Sequence, residues 1–136
     1  MPRILAIDYG KKRTGLAVSD PLKMIASGLT TVLSHELIPF LKKYLQQESV
    51  EQFVIGDPKN LDGSVTDATA LVIECIRILQ KNFPAIPIVK IDERFTSKIA
   101  SRSMIEGGMR KKQRQNKGLV DEVSATILLQ DYLQSI

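Results

Sequence analysis

The sequence has 136 residues and is poor in the side chains that bind metals through sulfur or nitrogen. It contains one cysteine, Cys75, and one histidine, His35. A single cysteine excludes an internal disulfide and a multi-cysteine zinc site. Cys75 falls at helical core spacing, which favours a packing role, and His35 is expected at the surface. Any chemistry should therefore depend on carboxylates, hydroxyls and basic residues.

Tryptophan and long apolar runs are also missing. Phe and Tyr together number only seven, which argues mildly against a stacking platform for single-stranded nucleic acid. No apolar run approaches the roughly 20 residues of a membrane span. Asp8 interrupts the N-terminus where a signal peptide would still be apolar, so we expect a cytoplasmic protein with no membrane partner. The length predicts one domain over residues 1–136.

Charge is distributed unevenly along the chain. The net charge is +4, with 19 basic and 15 acidic residues. Residues 90–117 hold nine basic residues against three acids, a surplus of six, so the remainder is mildly acidic. A basic stretch on an acidic body is a plausible footprint for nucleic acid, although a solvated charged loop would look the same.

Hydrophobic periodicity predicts five strands and four helices. Apolar runs and turn residues indicate three successive strands joined by short connections, hence an antiparallel meander. Ser34 is a candidate N-cap for the first helix, although Pro39 suggests a later start. The predicted strands are 3–8, 14–19, 24–32, 52–56 and 86–91; the predicted helices begin near 34, 64, 97 and 119, with a charged loop over 106–117. This order predicts an α/β fold with one five-stranded mixed sheet and helices on both faces.

Acidic residues occur at the ends of several of these elements. Asp8 ends the first strand, Asp92 and Glu93 end the fifth, and Asp121 and Glu122 open the last helix. If the first and fifth strands are parallel, these ends share one edge of the sheet, where ligands bind in open α/β sheets. Three carboxylates without histidine suit Mg²⁺ or Mn²⁺. Element caps and surface charges are the simpler explanation, and the choice between Asp92 and Glu93 stays open.

Two glycine-containing turns could contact phosphate. Gly10 and Gly15 have P-loop spacing, but Leu16-Ala17 follow in place of Lys-Ser/Thr, which excludes a Walker A loop. The segment 56–66 follows the fourth strand, and its hydroxyls at a helix start could hold a phosphate. Ordinary turns and a helix cap explain both segments equally well. The candidate phosphate contacts are Gly10, Ser64 and Thr96.

Taken together, the motifs resemble those of the YqgF family, also called RuvX-like Holliday junction resolvases. The resemblance spans almost the whole chain and is carried by four segments in order: 8–20 (DYGKKRTGLAVSD), 56–64 (GDP with DGS), 92–97 (DERFTS) and the helix opened by Val120-Asp121. Asp57 departs from the pattern, because an apolar residue is more usual between Gly56 and Pro58.

The resemblance implies an RNase H-like three-layer α/β/α fold and a nuclease dependent on Mg²⁺ or Mn²⁺. It implies Asp8, Glu93 and Asp121 as catalytic and metal-holding residues, and so favours Glu93 over Asp92. Two activities are associated with the family, 5′-end maturation of pre-16S ribosomal RNA and cleavage of Holliday junctions. The basic residues expected to contact nucleic acid are Lys11, Lys12, Arg13, Arg94, Arg110, Lys111, Lys112 and Arg114.

The sequence is also compatible with two other functions. A non-catalytic nucleic-acid binder of the same fold would still bind without Asp8 and without metal. A phosphate- or nucleotide-binding protein would be stabilised thermally by a nucleotide. The sequence does not distinguish an RNA substrate from a DNA substrate, or a monomer from a homodimer. It is also compatible with ribosomal or other protein partners.

Overall fold

We describe the fold from a computed structural model of the chain, which covers residues 2–57, 67–92 and 117–136; for 57, 67–68, 92 and 117–122 it describes the backbone. Within these ranges there are five strands and three α-helices. In chain order they are β1 (Arg3–Tyr9), β2 (Arg13–Ser19), β3 (Ala26–Leu33), α1 (Leu37–Gln47), β4 (Val50–Asp57), α2 (Asp67–Asn82), β5 (Ile88–Asp92) and α3 (Lys117–Ser135). The short helix predicted near residue 97 and most of the predicted loop 106–117 lie outside the described residues.

The five strands form one mixed sheet in the order β3-β2-β1-β4-β5. β1 pairs antiparallel with β2, and β2 pairs antiparallel with β3. β4 lies parallel to both β1 and β5. The predicted meander and mixed sheet are confirmed. Since β1, β4 and β5 run in the same direction, they end together along one side of the sheet, which we call the carboxyl edge.

One face of the sheet carries large apolar side chains. Leu5, Ile7, Leu16, Phe53 and Ile55 are fully buried there. They pack against buried residues of α1 and α2, namely Leu37, Leu41, Val72, Cys75 and Leu79. This first face therefore contains the larger part of the core.

The second face is built from smaller side chains and is covered by α3. Ala6 and Ala17 lie side by side on β1 and β2 and are fully buried. Ala125, Leu129 and Leu133 of α3 pack on them, together with Ile4 and Val54. The alanines on both sides let the helix lie close to the sheet. With helices on both faces, the fold is a three-layer α/β/α sandwich.

The turn between β2 and β3 is held by one aspartate. The Asp20 carboxylate accepts hydrogen bonds from the backbone N–H groups of Met24 (2.7 Å) and Ile25 (2.9 Å). These bonds, the one from Ile25 first, lower the pKa of Asp20. Lys23 takes a positive φ of 60° inside this turn. Because the turn holds Met24 and Ile25, β3 starts at Ala26, two residues later than predicted.

The start of α1 differs from the prediction in an informative way. A single 3₁₀ turn over Ser34–Glu36 precedes the helix, and the Ser34 side chain caps neither element. Pro39 is thus the third residue of α1, within the first turn, where backbone N–H groups need no partner inside the helix. The predicted later start is confirmed, whereas the predicted N-cap is wrong, because the Ser34 hydroxyl bonds elsewhere.

None of the helices in the described ranges has the length and hydropathy needed to cross a membrane.

Candidate active site

Asp8 lies next to the end of β1, at the carboxyl edge. It continues the row of Ile4 and Ala6, whose side chains face α3, because alternate residues of a strand share a face. Asp8 itself is half-buried. Directly across from it on β2 stands Gly15, which has no side chain to cover the carboxylate. Asp8 is therefore presented at the edge of the second face, toward the N-terminal part of α3.

The direction of α3 follows from two hydrogen bonds near its C-terminal end. The Gln130 side chain accepts a bond of 3.1 Å from the backbone N–H of Ala26, the first residue of β3. The Tyr132 hydroxyl donates a bond of 2.9 Å to the side chain of Gln52, which is paired with Ile4 at the start of β1. The C-terminal end of α3 thus lies at the side of the sheet where β1 begins, and its N-terminal turns extend toward the carboxyl edge.

The length of α3 from Tyr132 back to Asp121 places the backbone of Asp121 at the level of Asp8 along the sheet. The eleven residues from Asp121 to Tyr132 span about 16 Å of helix. The four residues from Ile4 to Asp8 span about 13 Å of strand. The two lengths agree to within one helical turn, so two of the three predicted acids belong to chain segments that meet at this edge. For Asp121 the structure describes the helical backbone.

The ends of β4 and β5 complete the edge. Gly56 pairs with Ile91 and Asp57 pairs with Asp92, so both strands end at the same level. On β5, Ile88 packs into the cluster of the first face and Ile91 into the cluster of the second face. Glu93 itself follows β5 and lies outside the described residues.

The loop that connects β1 and β2 carries a compact group of positive charges beside Asp8. Lys11 and Lys12 are exposed, and Arg13 is half-buried. The loop is closed by a hydrogen bond of 3.0 Å from the backbone N–H of Gly10 to the carbonyl of Arg13. A Cβ atom on Gly10 would stand 2.6 Å from that same carbonyl oxygen. Glycine is therefore required at position 10 by the close approach of the two chain segments.

Ser34 holds this loop from the first face, a role that the sequence pattern did not reveal. Its backbone N–H donates to the carbonyl of Lys12 (2.9 Å), and its hydroxyl donates to the carbonyl of Gly10 (2.5 Å). The Ser34 oxygen also lies 2.9 Å from the hydroxyl of the fully buried Thr14. Because a hydroxyl has one proton to give, Thr14 is the donor in that pair. The spacing of Ser34 before α1 favoured a helix cap, and no local signal pointed to side-chain contacts 20 and 24 residues away.

Tyr9 and Cys75 lie on the other side of the sheet from Asp8. Both line a shallow cleft on the first face together with Ser34, Leu37, Ile38 and Ile78. Burial raises the pKa of Tyr9, and burial raises the pKa of the Cys75 thiol to about 12. A thiol with such a high pKa is protonated and inert at neutral pH. The packing role predicted for Cys75 is thus confirmed.

Several predicted contacts lie outside the described residues. They are the candidate phosphate contacts Ser64 and Thr96 and the basic residues Arg94, Arg110, Lys111, Lys112 and Arg114. His35 is exposed beside Glu36, as expected for a surface residue. The described residues by themselves contain no group of three metal-ligating side chains. The residues that would hold an ion are carboxylates, and Asp8 offers hard oxygen ligands that suit Mg²⁺ or Mn²⁺.

The strand order β3-β2-β1-β4-β5 with helices on both faces is an RNase H-like fold. The RuvC of T. thermophilus, solved in complex with a Holliday junction substrate, has the same fold, with a TM-score of 0.59, 14% identity and coverage of 99% of this chain and 96% of that chain. The Fowlpox virus resolvase, solved with Holliday junction DNA, gives a TM-score of 0.54 at 13% identity over 98% and 97% of the two chains. At these identities the likeness concerns the fold alone.

The chain belongs to the RuvX family, described as Holliday junction resolvase, whose profile matches residues 2–135. It is 53% identical to a protein of Flavobacterium johnsoniae over 135 residues, which covers 99% of this chain and 98% of the relative. A protein of Bacteroides fragilis is also 53% identical, with the same coverage. Both relatives bear the name "Putative pre-16S rRNA nuclease". The family resemblance and the nuclease class predicted from the motifs are confirmed.

Proposed function

We propose that this protein hydrolyses phosphodiester bonds in the 5′-end maturation of pre-16S ribosomal RNA, as a single domain that uses Asp8, Glu93 and Asp121 to hold Mg²⁺ or Mn²⁺. The observation that carries the site is the meeting of β1 and α3 at the carboxyl edge. Asp8 faces the α3 side of the sheet there, and the C-terminal contacts of α3 direct its N-terminal turns to the same edge. When bound, the ion would activate water and stabilise the leaving oxygen.

The family motif over residues 92–97 supports Glu93 rather than Asp92 as the third carboxylate. Asp92 is the last residue of β5 and pairs with Asp57, and Glu93 follows it in the chain. We keep Glu93 in the proposal because of that motif.

Sequence identity to named relatives favours ribosomal RNA over a DNA junction as the substrate. The relatives named for pre-16S rRNA share more than half of their residues with this chain along its whole length. The solved resolvases that hold Holliday junctions share only 13–14%. Close relatives are the better guide to a substrate, because function resides in sites built on folds rather than in the fold itself. Junction cleavage is the second candidate, supported by the description of the family.

The basic loop 10–13 supports contact with the phosphate backbone. Lys11 and Lys12 are exposed on the loop that follows β1 and begins two residues after Asp8. Such contacts recognise charge and shape and carry no sequence information by themselves. We propose that the basic residues of 94–114 extend this surface. Processing of ribosomal RNA takes place in the cytoplasm, where we expect the protein to meet ribosomal or other protein partners. Binding as a monomer would suffice for RNA trimming, whereas a junction requires two sites and hence a homodimer.

The decisive experiment is a cleavage assay with Asp8→Asn, run in parallel on a 5′ fragment of pre-16S rRNA and on a four-way DNA junction. With Mg²⁺ or Mn²⁺ the wild type should cut the RNA fragment. Asp8→Asn should lower the rate about 100-fold or more, since losing several kcal/mol of transition-state stabilisation has an effect of this size. EDTA should abolish cleavage by the wild type.

Asp20→Asn is the matched control for this experiment. Asp20 directly follows β2, which is antiparallel to β1, so it lies at the edge of the sheet opposite to Asp8. An asparagine oxygen at position 20 can still accept the hydrogen bonds from Met24 and Ile25. This variant should cut at the wild-type rate. Cleavage of the junction alone would replace RNA with DNA as the substrate. Binding without any cleavage, unaffected by Asp8→Asn or EDTA, would refute the nuclease mechanism and support the non-catalytic binder; stabilisation by a nucleotide would support the phosphate-binding alternative.

A further inference from the structure

The loop 10–13 carries the tip of the β1–β2 hairpin, from Gly10 to the first residue of β2, Arg13. It is a short connection with two exposed lysines, and one backbone hydrogen bond, from Gly10 to Arg13, closes it. Long basic side chains on such a loop contact a phosphate backbone well only when the backbone beneath them is fixed. The contacts that fix this loop are therefore important for any ligand that the lysines bind.

Ser34 supplies those contacts from an element distant in sequence. Its backbone N–H donates to the carbonyl of Lys12 at 2.9 Å, and its hydroxyl donates to the carbonyl of Gly10 at 2.5 Å. Since both carbonyls point inward to Ser34, the intervening peptide is fixed with its lysine side chains in solvent. The buried hydroxyl of Thr14 in turn orients the Ser34 oxygen.

The Ser34 hydroxyl lies on the first face of the sheet, in the cleft with Tyr9 and Cys75. Asp8 belongs to the row of the second face. Ser34 is thus on the opposite side of the hairpin from the candidate reacting groups. Its influence on the substrate must pass through the loop.

We infer that Ser34 is a positioning residue for nucleic-acid binding, which locks the β1–β2 loop so that Lys11 and Lys12 meet the phosphate backbone beside Asp8. This inference rests on the proposed function and adds a residue to it. Without the Ser34 hydroxyl the loop populates several conformations, and the apparent Kd rises by the inverse of the fraction that remains competent to bind.

The test is a double-mutant cycle between Ser34 and the loop lysines, with binding to the 5′ fragment of pre-16S rRNA measured in EDTA to prevent cleavage. We expect Ser34→Ala to raise the Kd about tenfold, which corresponds to a competent fraction of about one tenth. In the background Lys11→Ala/Lys12→Ala, the same substitution should change the Kd less than about twofold, because the route through the lysines is gone. Ser34→Thr retains the hydroxyl and should restore binding.

Ser27→Ala is the control, because Ser27 is an exposed serine at the other end of β3. It should leave the Kd unchanged in both backgrounds. A purely structural role for Ser34 would weaken binding equally with and without the lysines, and that result would overturn the inference. An unchanged Kd for Ser34→Ala in the wild-type background would overturn it as well.

Hydrogen exchange at the Gly10 amide tests the same inference without nucleic acid. This amide closes the loop on the Arg13 carbonyl, so it exchanges when the loop opens. Ser34→Ala should speed its exchange at least about tenfold, while Ser27→Ala should not. Equal exchange would refute the locking role of Ser34 even if the protein binds and cuts RNA. Faster exchange in a protein that binds no nucleic acid would refute the proposed function. It would also refute the role of Ser34 in nucleic-acid binding, while the effect of Ser34 on the loop would stand.

Discussion

The two faces of the sheet are packed in opposite ways. The first face buries large side chains such as Phe53, Ile7 and Leu16 under two helices. The second face sets alanine against alanine, with Ala6 and Ala17 of the sheet beneath Ala125 of a single helix. Large side chains remove much apolar area from water and so dominate stability. Small side chains contribute less area but allow close approach, which fixes the distance between helix and sheet.

Because of this difference, we expect the first face to set the stability of the fold and the second face to set the geometry of the candidate site. The candidate site lies on the second face, where Asp8 ends its row and α3 carries Asp121. A small shift of α3 would separate the two acids, and errors near 1 Å in a catalytic arrangement can lower the rate about 100-fold. The side chains of the first face point away from α3, so we expect their truncation to leave the spacing between α3 and the sheet unchanged. We therefore expect substitutions on the two faces to affect different properties.

The largest effect on stability should come from Phe53 on the first face. Phe53 is fully buried and meets Phe83 edge to face, with ring centroids 5.8 Å apart. Phe53→Ala should lower the free energy of unfolding by about 3–5 kcal/mol, measured by urea denaturation. The exposed Ile73 of α2 is the control, and Ile73→Ala should change it by less than about 0.5 kcal/mol. Cleavage per folded molecule should survive in Phe53→Ala; a specific loss of rate there would break the comparison.

A smaller loss of stability and a larger loss of activity should follow from overpacking the second face. Ala125 is fully buried between α3 and the sheet. Ala125→Leu should destabilise the fold by about 1–3 kcal/mol and lower the cleavage rate about 10- to 100-fold by displacing α3. Ala70→Leu, at an exposed position of α2, introduces the same side chain without these effects. Cleavage at full rate by the Ala125→Leu variant would show that the spacing of α3 does not set the geometry of the site.

The smallest effect concerns the Cys75 thiol within the first face. Its pKa is raised by burial to about 12, above the ordinary value of 9.0. Both states are protonated well below pH 9. As the pH rises through 9 toward about 12, the unfolded thiol ionises while the folded thiol stays mostly protonated. Stability should therefore fall across that window in the wild type more than in Cys75→Ala, measured by urea denaturation at each pH. Iodoacetamide at about pH 8 should not react before unfolding, since the thiolate is the reactive form. Rapid reaction would show that Cys75 is accessible and that the first face is not closed around it.

Much of the architecture could be predicted from local pattern. Apolar runs located all five strands, and the order of elements indicated a mixed sheet with helices on both faces. The ends of strands were less predictable: β3 starts after the turn that Asp20 holds through two hydrogen bonds. For the candidate site, the family motifs named Asp8 and Asp121 as a prediction. The direction of α3 along the sheet could be read only from the contacts of Gln130 and Tyr132.

The sequence by itself determined the five strands, the mixed sheet, the basic loop and the membership of a nuclease family, because each depends on residue types at short spacing. Only the tertiary structure decided the contacts of Ser34 and the division between a large-residue face and a small-residue face. Ser34 looked like a helix cap, yet its hydroxyl joins Gly10 and Thr14, which lie 24 and 20 residues away in the chain. Such bonds depend on which strands pair and in which register, and neither is encoded in the neighbourhood of one residue.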